Sequence, residues 1–313
     1  MDLHFFGTSS GCPSKTRNVS ATGVSFERCK SWLLVDCGEG TQHQLLHSTL
    51  SPYRLGVVAV SHVHGDHCYG LPGVLAAIQM SGRKEPVALV APQKVIEFVR
   101  CTFELTDLQL AFNLVCHPLE EVQQAINFEG FMLEVITLKH RVPSYGFKIT
   151  ETVIPNKLHL DKLNRQGIKS GSHYNCLQKG QDVEYENHVL TAKEYTYPSW
   201  QPRTVIVCGD NEKPSLIAPW IKEADTLVHE ATFTSKDLSK IGYHTGHSDA
   251  ARVAQFAEMH ALNHLILTHF SVRYHGENGL ASIEHEAKRY YSGHLTLAYD
   301  GLVVNIPKQL NKQ

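Results

Sequence analysis

Apolar residues fall along this chain in short continuous runs, and the runs end in a recurring way. Residues 3–6, 31–36, 57–60 and 87–90 read as buried strands, each closed soon afterwards by Gly, Ser or Pro. Residues 131–138, 204–208, 226–228 and 265–268 repeat the pattern. Helices are expected between them, one from near Gly40 carrying Leu45 and Leu46, and one with Pro92 in its first turn running through Phe103. Strands alternating with helices argue for an α/β fold. Five strands deliver a polar residue at or just past the C-terminal end: His62, His140, Asp210, the pair His229–Glu230, and His269. Residues held at the ends of buried strands are held rigidly, and this convergence predicts a single site.

Residues 151–196 break the rhythm. They are polar, poor in apolar periodicity, and carry Lys157, Lys162, Arg165, Lys169 and Lys179 against Asp161 alone between 157 and 180. Two readings stand side by side: a solvated surface excursion, or an arm that grips a polyanion.

Composition changes little. Hydrophobic content of 42% and charged content of 19% suit a globular protein with a sizeable core. No apolar run is long enough to cross a membrane, and Met1-Asp2-Leu3-His4-Phe5 lacks the basic start of a signal peptide. The cysteines show no C-x-x-C spacing and read as reduced small hydrophobes, so the expected compartment is the cytoplasm. A net charge of −2 gives no hint of a polyanionic partner, but it counts the 20 histidines as neutral.

Those histidines matter through their spacing. His62-Val63-His64-Gly65-Asp66-His67 places four metal-binding side chains on one short loop directly after a strand. Imidazole and carboxylate suit borderline ions such as zinc. One short loop cannot wrap a single ion with all four groups, so two adjacent ions are expected. His62, His64 and His140 are assigned to the first, Asp66, His67 and His269 to the second, with Asp210 bridging both. His43, His47, His117, His188 and His260 read as ordinary polar or packing residues.

The His-x-His-x-Asp-His loop, with later His, Asp and His at strand ends, resembles the metallo-β-lactamase superfamily. The resemblance sharpens to the ribonuclease Z family through Phe6-Gly7-Thr8-Ser9-Ser10-Gly11 and the loop Pro13-Ser14-Lys15-Thr16-Arg17-Asn18. Asp36-Cys37-Gly38-Glu39-Gly40-Thr41-Gln42, His229-Glu230-Ala231-Thr232, Gly246-His247-Ser248 and Leu267-Thr268-His269-Phe270-Ser271-Val272-Arg273-Tyr274 extend it along nearly the whole chain. It implies one αββα sandwich over 1–313, with 151–196 as an inserted flexible arm that holds tRNA. It further implies two zinc ions per chain, a homodimer, and removal of 3′ trailers from precursor tRNA. The products would be a tRNA 3′-hydroxyl and a trailer 5′-phosphate. By the same resemblance His247 is the proton donor and Glu230 its partner, while Asp66 orients the attacking water. Lys15, Arg17, Asn18 and, less directly, Arg273 would contact RNA. Asp36 is expected to buttress the metal loop. Asn211 stands where the family usually has Thr, and its amide can still donate to nearby carboxylates. Rival readings are a hydrolase of small esters, thioesters or cyclic nucleotides, and a non-catalytic RNA-binding relative.

Overall fold

In the computed structural model, which describes residues 1–186, 188–276 and 279–311, the chain divides into two compact units. The larger comprises Met1–Thr150 and Thr204–Ile306.

Two seven-stranded sheets build the larger unit. The first runs in the order Val303–Asn305, Asp2–Gly7, Ala21–Ser25, Trp32–Val35, Leu55–Ala59, Val87–Ala91, Leu114–Pro118, and its last four strands are parallel. The second runs His294–Leu297, His264–Thr268, Thr226–Glu230, Thr204–Cys208, Ser144–Glu151, Phe131–Leu138, Ile126–Phe128, and its first four strands are parallel.

The continuous apolar runs follow from burial on both faces. Val57 and Ala59 join Leu133, Phe147, Val207 and Ile266 in a core that draws on both sheets. Val58 and Val60, offset by one residue, instead pack with Leu71, Leu75, Val95 and Val99 from helices Leu71–Met80 and Gln93–Leu105. In the second sheet Ile206, Leu227 and Leu265 turn away from the first and meet Val253, Phe256 and Ile283 of Ala250–Met259 and Ala281–Lys288. The layers are therefore helix, sheet, sheet, helix. The helix after Pro92 begins one residue later than expected, with Pro92 as its N-cap in extended backbone.

The second unit comprises Glu151–Arg203 with Pro307–Gln313, so it runs past the expected limit at 196. It is not the apolar-poor excursion its sequence suggests. Leu163, Ile168, Leu177, Leu190, Ala192 and Tyr195 form a small core of its own. Two helices, Leu160–Arg165 and Ser172–Gln178, and two short antiparallel pairings enclose it. Its apolar positions are spaced by turns and three-residue strands, so no window long enough to show a period exists. Buried Arg203 grips Glu151 at both carboxylate oxygens (2.7 and 2.9 Å), and Trp200 Nε1 donates to the same group at 3.1 Å. Lys157, Arg165, Lys169 and Lys179 are exposed, whereas Lys162 lies over the Tyr195 ring at 4.5 Å and donates to the Glu194 carbonyl. The two stretches of the larger unit that flank this segment meet where Thr150 and Thr204 are direct partners across antiparallel strands.

Candidate active site

The loop after Leu55–Ala59 turns sharply into the short helix Gly65–Cys68, for which His64 is the N-cap. At Gly65 the Tyr69 ring folds back over the turn, within 2.1 Å of where a Cβ would stand. The turn sends His62 and His67 inward to near-complete burial while His64 and Asp66 stay partly open.

Seven residues expected to cluster do so, in two groups. His62 Nε2 and His140 Nε2 lie 3.0 and 3.3 Å from His64 Nδ1, and each is 3.6 Å from Asp210 Oδ2. In the other group His67 Nε2 and His269 Nε2 are 3.2 Å apart, with Asp66 Oδ2 at 3.6 and 3.4 Å. Asp210 Oδ1 lies 3.5 and 3.3 Å from the same two nitrogens. The two oxygens of Asp210 thus face different groups.

Outer contacts decide which ring nitrogen points inward. His140 Nδ1 donates to the Gly246 carbonyl at 2.7 Å, His67 Nδ1 to Asp36 at 2.7 Å. His62 Nδ1 pairs with Ser61 Oγ at 2.9 Å and His269 Nδ1 with Thr232 Oγ1 at 3.0 Å. All four therefore present Nε2 to the cluster, while His64 presents Nδ1. Asp36 also accepts from the Ser61 backbone and hydroxyl at 2.7 and 2.9 Å, so it ties the start of the loop to His67. Asp36 and His269 have φ of 58°, a left-handed conformation that costs a non-glycine residue energy and is held by its surroundings.

Imidazole nitrogens and carboxylate oxygens packed within 4.8 Å of one another are a donor set for divalent metal. Burial and neighbouring imidazoles push the His62 pKa down. Burial opposes protonation of His67 as well, but Asp36, Asp66 and Asp210 outweigh it and raise its pKa to about 10.

His247 sits beside the clusters. Its Nδ1 donates to both oxygens of Glu230 at 3.1 and 3.2 Å, and Asp210 Oδ2 lies 3.7 Å away. Burial would lower its pKa; Glu230 and Asp210 overcome that and raise it to about 9. Glu230 is fixed by Thr232 Oγ1 and by the Asn211 backbone N–H at 2.8 Å. Asn211 therefore reaches a carboxylate through its main chain and not, as expected, through its amide, which donates to His229 at 3.0 Å. His229 is wholly buried and donates to the Glu230 carbonyl, a structural role.

The proposed RNA contacts separate. Lys15 is exposed. Arg17 Nη1 is engaged by Thr8 Oγ1 at 2.6 Å and the Ala298 carbonyl at 2.8 Å, and its guanidinium lies over Phe270. Buried Asn18 donates to the Glu39 carbonyl at 2.8 Å. These two side chains pin the loop that carries Lys15. Exposed Arg273 lies 5.2 Å over the Phe233 ring. A cleft of about 310 Å³ opens onto the metal-binding groups and His247, and Ser10, Gly11, Glu39, Tyr69 and Arg141 complete its walls. Of these, Tyr69 falls in the stretch His64-Gly65-Asp66-His67-Cys68-Tyr69-Gly70-Leu71-Pro72-Gly73 that resembles the ribonuclease Z family but carries no expected role, and Arg141 lies in no such stretch. Adjacency to His67 and His140 is the signal that could have marked them.

Known proteins resemble this chain over spans of different length. Residues 1–157 match the family model described as Anti-Pycsar protein Apyc1, a span that ends before Asp210, Glu230, His247 and His269. Longer matches extend across those positions. "Ribonuclease Z" of Pseudomonas putida is 46% identical over 304 residues, covering 96% of this chain and 95% of that protein. The chain belongs to the ribonuclease Z family. "Ribonuclease Z" of Bacillus velezensis is 33% identical, covering 98% of this chain and all (100%) of the relative. The human tRNase Z short form superposes with a TM-score of 0.67 at 27% identity, over 98% of this chain and 100% of that one. The metallo-β-lactamase fold protein YhfI from Bacillus subtilis, at 18% identity and TM-score 0.67, shares the fold. The αββα layering is thus that of the metallo-β-lactamase fold, and ribonuclease Z membership agrees with a hydrolytic site.

Proposed function

We propose that this chain is a metal-dependent endoribonuclease that removes 3′ trailers from precursor tRNA, leaving a 3′-hydroxyl on tRNA and a 5′-phosphate on the trailer. The reading rests chiefly on one observation in a ribonuclease Z family member: Asp210 turns one oxygen to each of two imidazole groups, and His247 stands beside it. His62, His64, His140 and Asp210 would hold one ion; Asp66, His67, His269 and Asp210 would hold the other. Zinc ions there would supply Lewis acidity, withdrawing charge from the scissile phosphate and making water a competent nucleophile near neutral pH.

The remaining work falls to side chains. Asp66, whose Oδ2 accepts the Gly11 N–H at 2.7 Å, orients the attacking water and takes its proton. As the bond from phosphorus to the 3′ oxygen breaks, that oxygen takes a proton from His247 Nε2. Glu230 holds Nδ1, fixing the ring and keeping it charged. Lys15 contacts the acceptor end, while Arg17 and Asn18 set its loop. Arg273 is a further contact for phosphate. The 151–196 segment binds the tRNA body through its exposed cations.

Exposed Leu46, Met80 and Leu105 lie on or beside the neighbouring helices Thr41–Leu45, Leu71–Met80 and Gln93–Leu105, and they support a homodimer through that layer. Met80→Glu should then shift the sedimenting species to monomer. Among the described residues no helix is long and apolar enough to cross a membrane, and the cytoplasm, where precursor tRNA is processed, is the proposed site of action.

Incubation with a 3′-extended precursor tRNA, followed by mapping of both new ends, tests the activity. A 2′,3′-cyclic phosphate, or an intact substrate, would refute it. Elemental analysis should find about two zinc ions per chain. A single ion, unchanged in His269→Ala, would refute the two-ion arrangement.

A further inference from the structure

Arg141 and Tyr69 are among the cleft side chains with no assigned task. Arg141 follows His140 directly, and its backbone N and Cγ lie 3.1 Å from where a Cβ on Gly246 would sit, so it stands beside His247. Its positive charge is felt at His247 and at His64, where it opposes protonation as a minor contribution, yet among the described residues it has no hydrogen bond and no ion pair. The cleft it lines also holds Glu39, Asp66 and Asp210, and it pairs with none of them. An arginine next to an acidic centre but unpaired with it is available to an anion. Tyr69 stands on the segment that follows Asp66. Its ring covers Gly65 on one side, lies 6.1 Å from Phe98, and is nevertheless 63% exposed. An aromatic face that lines the cleft and stays open to solvent is a stacking platform.

We propose that Arg141 and Tyr69 form a nucleotide subsite for the first residue of the trailer. The Arg141 guanidinium donates to a non-bridging oxygen of the scissile phosphate, and the Tyr69 ring stacks on the adjoining base. The trailer side is assigned because the leaving 3′ oxygen belongs at His247, whereas Tyr69 belongs to the segment of Asp66. The proposal rests on the phosphodiesterase reading of the site. Base stacking is indifferent to base identity, so the subsite grips any trailer nucleotide without selecting its sequence.

The test uses the full chain and two diesters, thymidine 5′-(4-nitrophenyl) phosphate and methyl 4-nitrophenyl phosphate, the second with no ring on the retained side. Arg141→Ala should lower kcat/KM about 10- to 100-fold on both, since both present the phosphate. Tyr69→Ala should lower the preference for the nucleoside ester over the base-free ester by about tenfold, chiefly through KM, and Tyr69→Phe should restore it. Binding of thymidine 5′-monophosphate to the metal-loaded protein, followed by calorimetry, should weaken in both alanine variants, independently of turnover. Unchanged nucleotide binding in Arg141→Ala, or Tyr69→Phe as impaired as Tyr69→Ala, would overturn the subsite. Wild-type hydrolysis of the nucleoside ester without cleavage of precursor tRNA would instead overturn the tRNA reading and leave the subsite standing on the variants.

Discussion

At the scale of single residues, the site is organised by what lies behind it. Asp36 is the clearest case: it touches none of the inward-facing nitrogens, yet it holds His67 Nδ1 and the Ser61 hydroxyl and backbone N–H. Its removal should leave every metal-facing atom in place but release two rings from their settings. Outer partners of this kind typically govern about 10- to 100-fold in metal affinity. Asp36→Ala is therefore expected to lose zinc to a competing chelator at about that much lower chelator concentration, and equal retention by variant and wild type would deny Asp36 this role. His247→Ala makes the opposite expectation. Metal content should stay, and turnover of precursor tRNA should fall roughly 10²–10⁴-fold, the range for a missing general acid. A nitrophenolate leaves without a proton, so a nitrophenyl phosphodiester should suffer much less. Glu230→Gln should follow the same pattern more mildly. Equal slowing of both substrates would identify His247 as a binding group.

Among elements, legibility in the sequence tracked how completely a strand is buried. Leu55–Ala59 and Thr204–Cys208 could be read because both faces are covered and the apolar run is unbroken. Ala21–Ser25 could not: Thr22, Gly23 and Ser25 interrupt it, and its pairing with Asp2–Gly7 supplies what its composition lacks. Ser144–Glu151 hides for another reason. Lys148 sits buried within it, neutralised by Glu134 and Glu223, partners remote in sequence. The HxHxDH loop was legible because its ligands are contiguous; Arg141 and Tyr69 acquire meaning only when the fold sets them round one cleft. The insert's own core also decides how it can be tested. Excising 157–180 would remove Leu163, Ile168 and Leu177 from its core, so loss of function there would be uninformative. Replacing Lys157, Arg165, Lys169 and Lys179 by Ala keeps that core. It should weaken precursor-tRNA binding and flatten its dependence on log salt, each lost phosphate contact lowering the slope by about 0.7–0.9. An unchanged slope would mean that these cations do not meet RNA.

For the molecule as a whole, acid is the expected weakness, and one source lies away from the active site. His264 is buried between Thr226 and Thr296 and stacks on His294 at 4.1 Å. Burial, aided by the charge of His294, pushes its pKa down to about 4. Unfolded, the same ring titrates near 6.5. Between those values the unfolded chain takes up a proton that the folded chain refuses. The stability this neutral ring contributes is therefore complete above about pH 6.5 and is lost as pH falls toward about 4. Tm measured across that window should drop less steeply in His264→Gln than in the wild type; parallel curves would show that His264 does not titrate there. The pairing of Thr150 with Thr204 carries a different consequence. Fifty-three residues leave and re-enter the sandwich at facing positions of one ladder, so the whole excursion occupies the place of a hairpin turn. A two-residue Asn-Gly link joining Glu151 to Arg203, whose main chains are hydrogen-bonded at 2.9 Å, could close that gap with no change of register. The larger unit thus carries its insert as a graft on a loop tip, and gain, loss or exchange of that graft can retarget the same hydrolytic edge without redesigning its scaffold.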